Sequence, residues 1–389
     1  MFWQLLCLRI NNNNRGLQVS EIYRLYAVSH SLFAGRARSY LIKQRIPFKE
    51  LSSGHESFKH EILPLGKKPT IPTLATPEGA VVRDGAEIIE HFERVNGYQS
   101  HPSTPKQNIV SLLFDVIGAE GLLRAAMHYR WNFPETNLDF LTEHFMHVQR
   151  DKPGKEEKCE RMMDRMRHVA QLWGVNETTM PVVEAHYCDV LDALQAHFST
   201  LPYLLGGKPC IGDYGMIAPL FAHLGRDPYP LKLMQDRAIK VYRWVERMNR
   251  PDQDAPEFFY ATDDWLADDE VPVTLLDVLK VIAEDFVPET LAQADVINAW
   301  LASNVPESGA PAERMMAPAR FELRGQTIEG VSAPYRFYLL QRVQDAVDAL
   351  SGEEHEAVLD MLVHCGMRSV LDARLNRRIR FHDNEEVWI

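Results

Sequence analysis

The hydrophobic pattern of residues 22–41 changes period partway along, and that change constrains the fold more than any other feature. Ile22, Leu25 and Val28 stand in a β-favouring run, whereas Phe33, Ala37, Tyr40 and Leu41 recur at helical spacing. A strand therefore gives way to a helix between Ser29 and Leu32. Ser29 and Ser31 fall at the helix N-terminus, where unpaired N–H groups and the helix dipole favour a negative charge. A serine hydroxyl there is placed to donate to an anion such as a thiolate. Two further signals follow. Pro72, after Ile71 and before Thr73-Leu74, interrupts a strand-like run; it cannot donate to a ladder, so it sits at an edge or a bend, and a cis bond is one way to make that bend. Asp84 with Glu87 three residues later reads as a helix start of the capping-box type, with Asp in place of Ser.

These signals lie in one α/β unit over residues 22–96: strand, helix, a second strand near Phe48 to Leu51, the Pro72 strand, a turn at Pro77-Glu78-Gly79 and the Asp84 helix. Residues 97–105, with Ser and two prolines, read as a linker. Residues 106–250 read as helical. Ile109, Leu113, Val116, Leu123 and Met127 predict one long apolar helix ending at His128-Tyr129-Arg130-Trp131, and Asp151 to Lys158 a charged loop. A stripe from Val183 to Phe198 and the nearly apolar run Ile211 to Leu224 predict two more helices, the second buried. Residues 251–389 read as a mostly helical extension, with helices over Leu275–Phe286, Leu291–Leu301 and Tyr335–Leu350 and a small hairpin turning at Gly325. Its basic end (Arg368, Arg374, Arg377, Arg378, Arg380) is expected to fold against the acidic residues Asp263 to Glu270 on charge alone.

A chain of 389 residues exceeds a single core. Its net charge of −12 argues against nucleic acid as a partner, because phosphate binding needs clustered Lys and Arg. No apolar run reaches the roughly 20 residues needed to span a bilayer, so no membrane partner is expected. Five scattered cysteines without CxxC or metal spacing fit a reducing, cytoplasmic setting. Residues 1–20 read as a disordered leader; the apolar start lacks the basic residues and cleavage site of a signal peptide.

The pattern S-x-F-x-x-R in Ser31, Phe33 and Arg36 resembles the first βα turn of glutathione transferases. Ile71 to Leu74, and Asp84-Gly85 followed by Ile88-Ile89, resemble two further motifs of that family in the same order. PYLLGGKPCIGDYGMIAPLFAHLGRDP, from Pro202 to Pro228, is similar to the signature of its helical domain. AMHYRWNFP and the tail beginning ADDEVPVTLL resemble a bacterial-type group with a long C-terminal extension. The fold so implied is an α/β thioredoxin-like N-terminal domain, an all-α C-terminal domain and the extension. The function implied is that of a serine-type glutathione S-transferase: glutathione, as co-substrate, is held as thiolate and attacks a small hydrophobic electrophile. A homodimer is implied too. The alternative is a non-catalytic binding or interaction protein on the same fold.

The residue roles follow from the resemblance. Ser31 donates to the glutathione sulfur, or else serves only as an N-cap; Ser29 is the reserve by position and Tyr26 a weaker one. Phe33, Ile71, Pro72, Asp84 and Gly85 bind glutathione. The backbone before Pro72 pairs with its cysteinyl main chain, Asp84 takes the γ-glutamyl amino group, and the Gly85 N–H takes the carboxylate. Gly85 departs from the family's usual Ser, which removes one donor. Arg36 faces either glutathione or solvent. Met127, Tyr129 and Trp131 border the hydrophobic substrate pocket. Asp213 reads as a cap and Cys188 as a core residue. Glu143, His144 and His147 share a helix face, a spacing that fifteen histidines produce by chance, and no metal is expected.

Overall fold

The computed structural model describes residues 22–149 and 153–389; the expected leader, and Asp151 and Lys152 at the head of the expected charged loop, lie outside them. The N-terminal domain runs β1 (Tyr23–Tyr26), α1 (Leu32–Lys43), β2 (Phe48–Leu51), a π turn at Phe58–Ile62, α2 (Leu63–Gly66), β3 (Thr73–Ala75), β4 (Val81–Arg83) and α3 (Gly85–Asn96). The sheet has the order β2-β1-β3-β4, with β1 and β2 parallel and the other pairs antiparallel. This is the thioredoxin-like arrangement. Its register decides where the site lies. Tyr26 pairs with Thr73, Thr73 pairs with Arg83, and the Asp84 N–H donates to the Pro72 carbonyl at 3.1 Å. The turn carrying Ser31, the Pro72 bend and the start of α3 therefore leave the sheet at the same end.

The helical domain comprises α4 (Pro105–Val116), a π turn at Ile117–Gly121, α5 (Leu123–Trp131), α6 (Pro134–His147), α7 (Lys155–Gln171), α8 (Met180–His197), α9 (Ile211–Ala222), α10 (Pro228–Arg237) and α11 (Ile239–Met248). The single helix expected from Ile109 to Trp131 is interrupted by the π turn. There the chain passes so close to α9 that a Cβ on Gly118 would lie 2.1 Å from the Gly215 carbonyl carbon. Backbone-to-backbone approach of this kind requires the glycine. Lys155 to Lys158, expected in a loop, already form the first turn of α7. Cys188 is half-buried, on the margin of the core. Asp213 accepts from the N–H groups of Cys210 (2.9 Å) and Leu204 (3.2 Å) and from the Trp244 indole (3.0 Å), which makes it a structural cap.

The extension comprises α12 (Val273–Ser303), β5 (Met316–Leu323), β6 (Gln326–Ser332), α13 (Pro334–Asp348), α14 (Gly352–His364), β7 (Ile379–His382) and β8 (Glu385–Trp388). Two helices were expected where α12 is one, running through Pro288. Interior proline costs about 3 kcal/mol. Thirteen buried side chains on α12, packed between α8 and the β5–β6 hairpin, outweigh that. Arg324 and Gly325 both take positive φ between β5 and β6, as a two-residue hairpin turn demands.

The basic end does not meet the acidic segment. Arg374 pairs with Asp348 and Arg378 with Asp345, both on α13, while Asp264 is taken by Lys208 and Asp269 accepts from the first N–H groups of α4. Local geometry outranks net charge when exposed pairs contribute so little. α13 and α14 instead lie against α4, and buried side chains from Leu25 to Trp388 form one continuous core. Among the described residues no helix is long and apolar enough to cross a membrane.

Candidate functional site

Ser31 is the N-cap of α1, with extended backbone (φ −85°, ψ 119°) and its N–H bonded to the Val28 carbonyl at 3.0 Å. Its side chain is half-buried and makes no capping bond, and among the described residues the hydroxyl is uncommitted. Ser29 is half-buried as well. Tyr26 is spent: it is fully buried and its hydroxyl pairs with Ser57 Oγ at 2.6 Å. The turn between β1 and α1 is pinned from the helical domain. Arg130, buried, donates to the His30 carbonyl (2.8 Å) and grips Asp227 through Nε (2.6 Å) and Nη2 (2.9 Å). Burial, with Arg130 adding like charge, holds the His30 imidazole neutral by lowering its pKa to about 3. Phe33 remains exposed beside this turn.

The peptide bond between Ile71 and Pro72 is cis, and among the described residues neither main-chain group of Ile71 has a hydrogen-bond partner. Asp84 is the N-cap of α3 at φ +84°, a conformation that a non-glycine residue holds only when its surroundings impose it. Its Oδ1 accepts from Ala86 N–H (2.8 Å), Glu87 N–H (3.4 Å) and the Tyr335 hydroxyl (2.9 Å), the last from the extension. Oδ2 has no hydrogen-bond partner among the described residues. Glu87 does not close the capping box; its carboxylate pairs with Tyr338 and Arg342. Arg36 faces neither a ligand nor solvent. It is buried and paired with Asp115 of α4, and its stem fills the space beside Gly85. A Cβ on Gly85 would lie 2.7 Å from Arg36 Cγ and Cδ, and 3.0 Å from the Phe33 carbonyl oxygen. Glycine is thus the residue that this packing admits.

Residues 30–95 match the family model for the glutathione S-transferase N-terminal domain. That match takes in α1 to α3 of the α/β domain and none of the helical domain or the extension. A comparison with proteins of curated function finds no match. Among solved structures, the chain is similar to the β-etherase LigF of Sphingobium sp. strain SYK-6, at 15% identity over 60% of this chain and 96% of that one, with a TM-score of 0.40. It is similar also to a glutathione S-transferase of Xanthobacter autotrophicus Py2, at 18% identity over 58% and 91%, with a TM-score of 0.34. A third likeness is to the glutathione transferase GSTFuA3 of Phanerochaete chrysosporium, at 11% identity over 59% and 96%, with a TM-score of 0.42.

In the N-terminal domain the edge strand β4 is covered by the β7–β8 hairpin. Asn384, in the turn between β7 and β8, donates to the Val81 carbonyl (3.0 Å) and accepts from the Arg83 N–H (2.8 Å). Lys67 pairs with Asp383 at 2.6 Å, and Glu386 takes both Lys68 (3.2 Å) and Arg83 (3.0 Å). The hairpin protects an otherwise open edge. It meets the domain on the outer side of β4 and leaves the Ile71 main chain unpaired.

The three residues expected to border a hydrophobic pocket are not brought together. Tyr129 is buried in an aromatic stack, with ring centroids 5.5 Å from Phe133 and 5.0 Å from Tyr187. Trp131 belongs to a smaller cluster with Leu141, Phe145 and Met163, under the Arg167 guanidinium. Met127 is half-buried between the two clusters. Sequence reasoning missed Tyr335, whose only sequence signal was its place in the first turn of an expected helix. It also missed Arg130 with Asp227, both inside quoted motifs but not recognisable as partners. His144 pairs with Arg226 Nη2 at 2.7 Å, which accounts for one of the histidines on the α6 face.

Proposed function

We propose that this protein is a glutathione-dependent transferase in which Ser31 holds the thiol as thiolate for attack on a small hydrophobic electrophile. The observation that carries the reading is the uncommitted Ser31 hydroxyl at the start of α1, at the same sheet end as the unpaired Ile71 main chain and the free Oδ2 of Asp84. An ordinary cysteine thiol has a pKa near roughly 8.5 and is weakly nucleophilic at neutral pH. A hydroxyl donor plus the N–H groups of a helix start stabilise the anion and bring that pKa down. The proton leaves to solvent, the sulfur forms a bond to the electrophilic carbon, and the leaving group departs with the electron pair. Phe33 flanks the thiol. The main chain of Ile71, ahead of Pro72, pairs with the cysteinyl unit as an added strand would. Asp84 Oδ2 takes the γ-glutamyl ammonium and the Gly85 N–H its carboxylate. The electrophile approaches from the α5 side, where the half-buried Met127 offers apolar surface above the cluster that holds Trp131. The homodimer and the cytoplasmic location implied by the family resemblance belong to the same reading.

Retention on glutathione-agarose together with a thiol-conjugation assay tests it. Ser31→Ala is expected to lower turnover by at least about tenfold, the worth of roughly one charge-assisted hydrogen bond, while glutathione affinity changes far less. Equal loss of both would assign Ser31 to binding or folding. Failure of the wild type to bind or to turn over would favour the second reading, a non-catalytic binding protein. Two observations support that alternative: Asp84 Oδ1 is already shared with Tyr335, and the Arg36 stem stands where a serine at position 85 would reach.

A further inference from the structure

The first turn of α13 joins two parts of the molecule that the family motifs do not connect. Tyr335 donates its hydroxyl to Asp84 Oδ1 at 2.9 Å. The next residue, Arg336, is fully buried and donates through Nη2 to the Glu120 carbonyl at 3.0 Å, held there by Glu289 (2.5 Å) and Thr290 Oγ1 (2.8 Å). One helix start thus ties the N-cap of α3 to the π turn between α4 and α5, and brings Glu120 to the neighbourhood of Asp84. A π turn inside a helix is a recurrent mark of functional sites.

Glu120 is only 5% exposed, and its carboxyl has no hydrogen-bond partner among the described residues. Burial raises its pKa to about 7; Glu289 and Asp84 push in the same direction, and Arg336 and Arg314 oppose them. Buried carboxyl groups are ordinarily paired. Of the two arginines that act on Glu120, Arg336 spends its guanidinium on Glu289, Thr290 and the Glu120 carbonyl, and Arg314 makes no hydrogen bond to the carboxyl among the described residues. Asp84 Oδ2 and the Glu120 carboxyl are therefore two acceptors left without a donor, and a primary ammonium, with three N–H donors and one positive charge, answers both.

We propose that Tyr335 is a positioning residue contributed by the extension: it engages Asp84 Oδ1, leaving Oδ2 and Glu120 to bind the α-amino group of a γ-glutamyl thiol peptide. The inference rests on the glutathione reading above and adds two residues to it. On this account the extension is a wall of the binding site, and the chain's last 140 or so residues cannot be removed without loss of amino-group recognition.

Calorimetric titration of the full chain with glutathione, and with its des-amino analogue glutaryl-cysteinyl-glycine, tests the proposal. Wild type is expected to prefer glutathione. Tyr335→Phe and Glu120→Gln should each weaken glutathione binding about tenfold, as loss of a hydrogen bond to a charged group does, and leave the analogue's affinity unchanged. Tyr338→Phe, which removes a comparable hydroxyl from Glu87, should leave both affinities unchanged and so controls for general loosening of α13. If both variants bind glutathione as well as wild type or better, the proposal is overturned and the transferase reading stands. If wild type binds neither peptide, the transferase reading itself fails and this inference falls with it.

Discussion

Two helices of one α/β domain begin at the same end of the same sheet and are treated oppositely. At the start of α1, the Ser31 hydroxyl has no hydrogen-bond partner among the described residues, and the turn is held by Arg130 on the His30 carbonyl. At the start of α3, Asp84 caps the helix and also accepts from a tyrosine 251 positions away. Both positions carry the same local signal, a short polar residue before an apolar helical run. What separates them is tertiary: the extension bonds the start of α3 through Tyr335, whereas it meets α1 at the far end, where Lys43 donates to the Asp252 carbonyl. A thiolate site at α1 therefore depends on the N-terminal domain and its helical neighbour, whereas any amino-group site at α3 depends on the whole chain.

Arg36 stands between the two helix starts and offers the strongest way to break the comparison. It belongs to α1, its stem fills the space beside Gly85 of α3, and its guanidinium pairs with Asp115 of α4, both partners being buried. Asp115→Ala would strand a buried guanidinium, and the expected loss is about 3–5 kcal/mol in urea unfolding. Both helix starts should loosen together, because the arginine no longer has a reason to stay over Gly85. A loss below about 1 kcal/mol would mean that Arg36 finds water or another acceptor, and that the two starts are not mechanically linked.

The second prediction sharpens the same point. The family's usual serine, placed here as Gly85→Ser, should cost about 1–3 kcal/mol, as overpacking does, because its Cβ would meet Arg36 at 2.7 Å and the Phe33 carbonyl at 3.0 Å. In an Arg36→Ala background the same change should cost measurably less, since the two sites share one space. Additive costs in the double mutant would show that the backbone contact with Phe33, and not the arginine, sets the limit. Glycine at 85 thus fits the space that the inward-turned Arg36 stem leaves.

Much of the domain was legible in residue patterns because each signal was local. The change of period at Ser29–Leu32, the Pro72 interruption and the Asp84 cap each follow from backbone sterics and hydrogen bonding within a few residues. The positions of β1, α1, β3 and α3 accord with them. Long-range partners were not legible. Nothing in the spacing of Arg36 points to Asp115, 79 residues on, and nothing at Tyr335 points to Asp84. The two helices expected over Leu275–Phe286 and Leu291–Leu301 are one, because α12 carries buried side chains along its length and tertiary packing overrides the bond missing at Pro288. The basic C-terminal stretch was assigned a partner by net charge, which ignores that α13 already presents Asp345 and Asp348 beside it.

The smallest expected effect is also the most discriminating for the two helix starts. Asp84→Ala removes two cap bonds and the acceptor for Tyr335, and should lower stability by about 1–2 kcal/mol, the usual worth of a lost N-cap. Ser31→Ala removes a hydroxyl that has no partner among the described residues, so its cost should stay within about 0.5 kcal/mol, as for a substitution outside any structural feature. Thermal unfolding of the two variants side by side reads the difference directly. Equal losses would mean that Ser31 does cap α1 in solution, and its hydroxyl would no longer be free to meet a sulfur. A near-zero cost combined with lost turnover would leave only a role toward the ligand, because a group that contributes nothing to stability and much to rate must act on the reacting atoms.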